Sequence, residues 1–373
     1  MSASKIKWVR LGEYIEQCDE RNSESKYTIK DAMGMTITKE IIPTKTNLQE
    51  NDLSKFLIVK PKEFVYNPRT HGKKIGLGFN NTNKPFIISW NNIAFRIKNT
   101  DLLLPDYLYI IICREEWDRN ACFRSWGSST EVFSWNEFSL MLIPLPSIEV
   151  QQKLVDTYNG LKALAEQNEA LIKPLGKACE AFVADCKNKY LEVKIGDYIE
   201  LFDKRNTGGC NYPFCGINKD KTFMPTVADT NDLDNSKYKI VNKGDFVFSG
   251  MQTGRDVCIR IALYDKTEPI IISPAYTTFR IKDECKIIPQ YLFLQFKRFE
   301  MDRYGWFLSD GSIRSNLEWD RFCEVKIPLP PINVQQSIVN IYNCLEEAKK
   351  IASEVREQLK TLCPALVQRA ANS

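Results

Sequence analysis

At 373 residues the chain has room for two or three domains, and its 43% apolar and 26% charged residues are those of an ordinary globular protein. A net charge of +4 permits nucleic-acid binding only where basic groups cluster. Its twelve cysteines lack any CxxC spacing, no apolar run nears the ~20 residues of a membrane span, and a lone histidine, His71, excludes zinc sites built on paired histidines.

Met1-Ser2-Ala3-Ser4-Lys5 offers no apolar targeting core, so a cytoplasmic chain with reduced thiols is expected. The first elements are Val9-Arg10-Leu11-Gly12-Glu13-Tyr14-Ile15-Glu16 and the turn-forming Asp19-Glu20-Arg21-Asn22. Strand-like runs follow at Phe64-Val65-Tyr66, Ile87-Ile88-Ser89 and Ala94-Phe95-Arg96-Ile97. One amphipathic helix is expected from Asp106 to Arg119, started by Pro105, whose missing N–H costs nothing at that position. After Ile143-Pro144-Leu145-Pro146 a long helix begins. The same order then returns. Val193-Lys194-Ile195-Gly196-Asp197-Tyr198-Ile199-Glu200, Phe279-Arg280-Ile281-Lys282 and Ile327-Pro328-Leu329-Pro330 each lie 184 residues after their first copies. Strands at Phe246–Phe248, Ile270–Ile272 and Thr278–Ile281 and a helix from Gln290 to Arg303 complete the second half. At this period the repeat is a whole domain, beyond the range of solenoids.

Positions 338, 341, 345, 348, 352, 355, 359, 362 and 366 form an apolar heptad seam in the second long helix. The same register places Leu154, Thr157, Leu161, Leu164, Asn168, Leu171, Leu175, Ala178 and Phe182 in the first seam, with Pro174 expected to kink or break that helix. A link of about five residues between Asn188 and Val193 spans at most ~18 Å, which leaves an antiparallel pairing of the two helices as the buildable one. The expected fold is α+β: two pseudo-repeated mixed α/β domains, residues 1–146 and 190–330, separated by two long helices, 147–189 and 331–373, paired as an antiparallel coiled coil.

No catalytic or metal-ligating set is evident. The glycine loop and the Asn/Asp-Pro-Pro-aromatic tetrad of DNA methyl transfer are both missing, and Asn67-Pro68-Arg69-Thr70 lacks the second proline and the aromatic. Glu192-Val193-Lys194 and Glu324-Val325-Lys326 have the Glu-x-Lys form of nucleases, which arises often by chance in a chain this rich in Lys and Glu. Polar loops suit nucleic acid better. Glycine lets backbone approach a phosphate, and Arg, Lys and Gln read base edges in the major groove. The candidate DNA contacts are Arg69, Thr70, His71, Lys73 and Lys74 in one loop of the first half and Ser128 and Ser129 in another. Their counterparts are Gln252, Thr253 and Arg255, and Ser312, Arg314 and Asn316.

This layout resembles the specificity subunit of type I restriction-modification systems. The resemblance rests on Pro144-Leu145-Pro146-Ser147-Ile148-Glu149-Val150-Gln151-Gln152 and Pro328-Leu329-Pro330-Pro331-Ile332-Asn333-Val334-Gln335-Gln336. Gly244-Asp245-Phe246-Val247-Phe248-Ser249-Gly250, Ile272-Ser273-Pro274-Ala275-Tyr276 and Gly311–Trp319 add to it. It implies two target recognition domains, each reading half of a bipartite DNA sequence, and helices that act as ruler and as platform for two methylation subunits. It further implies that this chain is not an enzyme. S-adenosylmethionine, ATP and Mg would sit on the methylation subunits and on the restriction subunits of the full complex. The first half departs from the pattern where Trp126 replaces Asp310 and where Arg314 has no counterpart. The recognition subunit of a related type II system, or a coiled-coil scaffold whose end domains bind proteins, remain open alternatives.

Overall fold

The computed structural model describes residues 7–70, 74–126, 131–226, 233–251, 256–310 and 316–372, with side chains in the last helix as far as Lys360. The chain divides into two compact units, residues 1–167 with 351–373, and residues 168–350. It passes from one unit to the other inside its long helices.

The first unit runs β1 (Lys7–Arg10), β2 (Ile15–Cys18), β3 (Met33–Met35), β4 (Ile41–Pro43), β5 (Leu57–Val59), β6 (Phe64–Tyr66), β7 (Leu77–Phe79), β8 (Phe86–Ile88) and β9 (Ile93–Ile97). Helices α1 (Pro105–Ile112), α2 (Glu115–Phe123) and α3 (Trp135–Ser139), strand β10 (Leu142–Leu145) and the start of α4 (Ile148–Lys189) follow. An antiparallel sheet of order β2-β9-β6-β7 carries the core, while β3–β4 form a hairpin and β1 pairs with β10. Stacked rings fill that core: Phe64 on Phe95 at 5.0 Å and Tyr66 on Phe138 at 4.7 Å.

The second unit repeats this with β11 (Glu192–Lys194), β12 (Ile199–Leu201), β13 (Phe214–Ile217), β14 (Phe223–Pro225), β15 (Lys239–Val241), β16 (Phe246–Ser249), β17 (Arg260–Leu263), β18 (Ile270–Ile272) and β19 (Thr277–Ile281). Then come α5 (Pro289–Phe296), α6 (Phe299–Leu308), α7 (Trp319–Cys323), β20 (Lys326–Pro328) and α8 (Ile332–Asn372). The core sheet has order β12-β19-β16-β17, and Phe246 stacks on Phe279 at 4.8 Å and Phe248 on Phe322 at 4.3 Å.

The repeated openings have a steric cause. A Cβ on Gly12 would stand 2.7 Å from Ser139 Cβ, and one on Gly196 2.8 Å from Cys323 Cβ. Each glycine therefore lets the first turn of its unit lie directly on α3 or α7.

Three expectations need correction. The single helix expected after Pro105, and again after Pro289, is two helices in each unit. Arg114 (φ −78°, ψ 146°) and Arg298 (φ −80°, ψ 139°) are extended, and acidic side chains in the turn that follows favour a fresh helix start. Pro174 does not break α4, which continues through it with the ring exposed. The seam of α8 is as expected as far as Val355, with Ile338, Leu345, Ala348, Ala352 and Val355 buried and Leu362 and Leu366 outside the described side chains, but that of α4 is not. Val155, Ala165, Cys179, Val183 and Cys186 are buried there, whereas Thr157, Leu164, Leu171 and Phe182 are exposed. The helix carries two apolar stripes one residue apart. The stripe with the smaller side chains faces inward, since these permit closer helix approach.

Each unit contains one half of each long helix. In the second, Cys179 shares a cleft with Leu345 and Lys349, while Leu191 O accepts from Leu329 N at 3.1 Å. Advancing along α4 is thus retreating along α8, the antiparallel arrangement expected. In the first, Val155 and Tyr158 pack in the same cluster as Leu359.

Candidate nucleic-acid interface

The polar loop that leaves β6 is tied by backbone to the loop that precedes α3. Phe133 N donates to Pro68 O at 2.7 Å, and Thr70 N to Glu131 O at 3.0 Å. Thr70 Oγ1 donates to Glu131 O and Oε2, both at 3.2 Å, so buried Thr70 is a fastening. Its neighbour Arg69 is exposed, as is Lys74. Trp126 and Val132 close the second loop by exchanging backbone hydrogen bonds of 3.2 and 2.9 Å, and Arg69 bridges Val132 on its other side. Exposed Arg69, Val132 and Trp126 therefore form one edge.

The second unit joins the same two loops. Leu317 N donates to Gly250 O at 2.9 Å, and a Cβ on Gly250 would lie 2.1 Å from Leu317 O, so only glycine allows this approach. Asp310 and Asn316 occupy the places of Trp126 and Val132: Asp310 N donates to Asn316 O at 2.9 Å, and Asn316 N to Asp310 Oδ1 at 3.0 Å. One loop closure is thus made by an apolar pair in one unit and a polar pair in the other. The loops also differ in length. Phe64 pairs with Phe79 fifteen residues on, but Phe246 with Leu263 seventeen on.

Of the expected contacts, Arg69 and Thr70 come together at the loop junction of the first unit, Lys74 is exposed, and Asn316 stands in the loop pair of the second. His71, Lys73, Ser128, Ser129, Gln252, Thr253, Arg255, Ser312 and Arg314 lie outside the described residues. Asp245, in the Gly-Asp-Phe motif, accepts from Asn242 N at 2.9 Å. Burial raises its pKa, opposed by that N–H and by Arg280 at 3.2 Å. It holds a turn and faces no site. One Glu-x-Lys triplet is β11 and the other runs from the end of α7 into β20, and Lys194 meets Glu324 at 2.6 Å, which accounts for them without a nuclease centre.

A family model of the type I restriction modification DNA specificity domain matches residues 190–361, and the first unit repeats the strands, helices and loop junction of that segment. Residues 190–361 thus resemble the specificity family of type I restriction-modification systems. A relative described as the type I restriction enzyme MjaX specificity subunit of Methanocaldococcus jannaschii is 22% identical over 169 residues, 43% of this chain. The match spans only 39% of that relative's length. The solved S subunit of a type I restriction-modification system from M. genitalium superposes with a TM-score of 0.60 at 13% identity, covering 98% of this chain and 96% of the other. That likeness bears on the fold. The HsdS subunit from Thermoanaerobacter tengcongensis covers 98% of this chain and 96% of its own at 18% identity, with a TM-score of 0.43.

Among the described residues, no helix is long and apolar enough to cross a membrane, and no group of three or more His, Cys, Asp or Glu side chains could hold a metal ion. Loop composition passes over one further repeated feature, the exposed pair Arg119 and Phe123 on α2, which returns as Arg303 and Phe307 on α6.

Proposed function

We propose that this chain is the DNA sequence-recognition subunit of a type I restriction-modification complex. The target recognition domains are residues 1–146 and 190–330, each reading one half of an asymmetric bipartite target. The helical segments 147–189 and 331–373 set the spacing and dock two methylation subunits, with restriction subunits joining in the full complex. Methyl transfer from S-adenosylmethionine and ATP- and Mg-dependent work fall to those partners, and this chain supplies recognition without catalysis in the cytoplasm.

The observation that carries this reading is the loop junction. Two polar loops are fastened together in the same way in both units, yet their lengths and closing side chains differ. A scaffold for binding one fixed epitope would have no use for a constant frame with changed loops. Readers of two different half-sites need that combination, because base edges are distinguished by the side chains presented to them. Exposed Leu164, Leu171 and Phe182 on α4 offer apolar surface for protein partners.

The test is to purify the chain with its two methylation subunits, measure duplex binding against salt, and map methylated bases in cells with and without the gene. An asymmetric bipartite motif that disappears with the gene, and affinity that falls steeply with salt, are expected. A palindromic motif would overturn the two-reader assignment.

A further inference from the structure

Large apolar side chains exposed on one unit generally face something different on the other. Trp8 corresponds to Glu192, Leu102 to Lys286, Trp126 to Asp310 and Leu142 to Lys326. Among the described residues, one equivalent pair is strongly exposed in both units: Phe123 at 81% and Phe307 at 78%. Folding does not explain this repetition, because a phenyl ring in water contributes almost nothing to the core of its own unit.

The surroundings repeat as well. Arg119 and Arg303 lie four residues earlier and are exposed, so arginine and ring share a helical face. Arg119 is 74% exposed, and its ion pair to Glu116 is long at 3.9 Å. Two residues after each ring, a serine fixes the exit of the helix: Ser125 Oγ donates to Ala121 O at 2.7 Å and Ser309 Oγ to Gly305 O at 2.8 Å. The next residue, Trp126 or Asp310, closes the variable loop. An Arg–Phe pair common to both units therefore abuts a loop whose side chains change, and in the second unit Tyr304, where the first has Asn120, stacks on Phe307 at 6.4 Å.

We propose that Arg119–Phe123 and Arg303–Phe307 are a repeated, sequence-independent DNA clamp. The arginine holds a backbone phosphate, and the phenyl ring lies against deoxyribose and base beside the loops that read sequence. A cation next to an aromatic ring suits the anionic strand. It is the arginine, one turn from the ring, that shares its face, the exposed Glu115, Glu116 and Glu300 lying in the first turns of the helices. Constancy selects the same occupant: the sugar-phosphate chain is common to both half-sites whereas the bases are not. The inference rests on the function proposed above.

The experiment uses the complex with both methylation subunits and compares Arg303→Ala, Phe307→Ala, Arg119→Ala and Phe123→Ala with wild type. All four side chains are exposed, so the variants keep their cores. Phe307→Ala and Phe123→Ala are expected to weaken binding roughly tenfold for cognate and non-cognate duplexes alike. Each arginine variant should reduce the log–log salt slope by about 0.9, the loss of one phosphate contact. The methylated motif should stay the same in all four. Unchanged affinity and slope would overturn the clamp, as would a changed base in the motif, which assigns these residues to base reading. Poor co-purification with the methylation subunits, with normal affinity in complexes that do form, would assign the face to protein docking and also overturn it. If wild-type complex shows no sequence-dependent DNA binding, the parent reading fails instead.

Discussion

The Lys39 ammonium meets the Asp118 carboxylate at 2.5 Å, with the two side chains only 4% and 9% exposed. Lys39 sits at positive φ (68°) in the β3–β4 hairpin and also donates to Ile75 O at 2.8 Å, while Ile75 N donates to Asp118 Oδ1 at 3.3 Å. The second unit repeats it: Lys221, at φ 61°, reaches Asp302 at 2.8 Å, and Ile259 N donates to Asp302 Oδ1 at 2.9 Å. Each pair fastens a hairpin to the helix carrying the exposed Arg–Phe face and to the chain that returns from the first polar loop. The platform under the loops is thereby fixed while the loops themselves are free to differ.

Removing one partner strands the other charge in the interior. Lys39→Met should therefore cost roughly 3–5 kcal/mol in urea unfolding. Lys39→Met with Asp118→Asn keeps an acceptor for Ile75 N–H, carries no lone charge, and should recover much of that loss. A single variant as stable as wild type would show that the pair contributes nothing.

The neighbouring glutamines of the Leu-Pro-x-x-x-x-Gln-Gln motif have opposite duties. Gln151 is fully buried: its Nε2 donates to Leu102 O and Pro146 O, both at 2.9 Å, and its Oε1 accepts from Leu104 N at 2.8 Å. Gln335 makes the equivalent bonds to Lys286 O, Pro330 O and Ile288 N. Gln152 is exposed and bonds only Asp156 one turn on. Gln151→Leu should cost about 2–3 kcal/mol, since one buried and two half-buried backbone groups lose their partner. Gln152→Ala should stay within about 0.5 kcal/mol of wild type. Equal effects in denaturant titrations would contradict this division.

The repeat and its strands were readable from the sequence because Ile15, Phe95, Ile143 and their copies Ile199, Phe279 and Ile327 are core residues in register. What could not be read is that the register slips between them. Lys39, Asp52 and Phe64 correspond to Lys221, Asp234 and Phe246, an offset of 182, whereas Asn22 and Phe79 correspond to Asn206 and Leu263, an offset of 184. Two residues more before β3 in the first half are balanced by two more after β16 in the second, so motifs outside that stretch hide the change. The buried lysines were equally invisible. A lysine in a turn reads as solvated, and each partner lies 79 or 81 residues away. The α4 seam misled because its leucines outweigh its alanine and cysteines in hydrophobicity, but not in fit.

Gln295 marks a place where the two units disagree. It is fully buried on α5, and neither amide atom has a hydrogen-bond partner, whereas Ile111 fills the equivalent position on α1. Gln295→Met keeps length and removes the stranded polar atoms, so the variant should be more stable by about 1–3 kcal/mol. Thermal unfolding would read this as a raised midpoint; a lowered one would mean that buried water satisfies the amide.

Pro174 gives a second stabilising substitution. It interrupts the backbone hydrogen-bond ladder of a helix that nevertheless continues, and its exposed ring fills no core space. Pro174→Ala should restore the missing N–H and raise stability, with an interior proline costing up to ~3 kcal/mol against alanine. Unchanged or lower thermal stability would show that the proline is accommodated without cost.

The closing pair of the second loop supplies the sharpest functional prediction. Trp126 and Val132 hold the loop through their backbones, so their exposed side chains can be exchanged without undoing the closure. Trp126→Asp with Val132→Asn gives the first unit the pair that closes the loop of the second. An apolar edge suited to a thymine methyl becomes one that accepts from, and donates to, base edges. On the function proposed above, in a complex with the proposed methylation subunits, this variant should lose affinity for the original target by roughly tenfold or more, as a mismatched base pair would. The methylation map should then change in one half-site and leave the other intact. Arg69→Ala, on the same edge, should relax one position of that half-site if the guanidinium reads a base, or weaken all sequences evenly if it holds a phosphate. A fully active double variant with an unaltered motif would remove this loop from the reading surface.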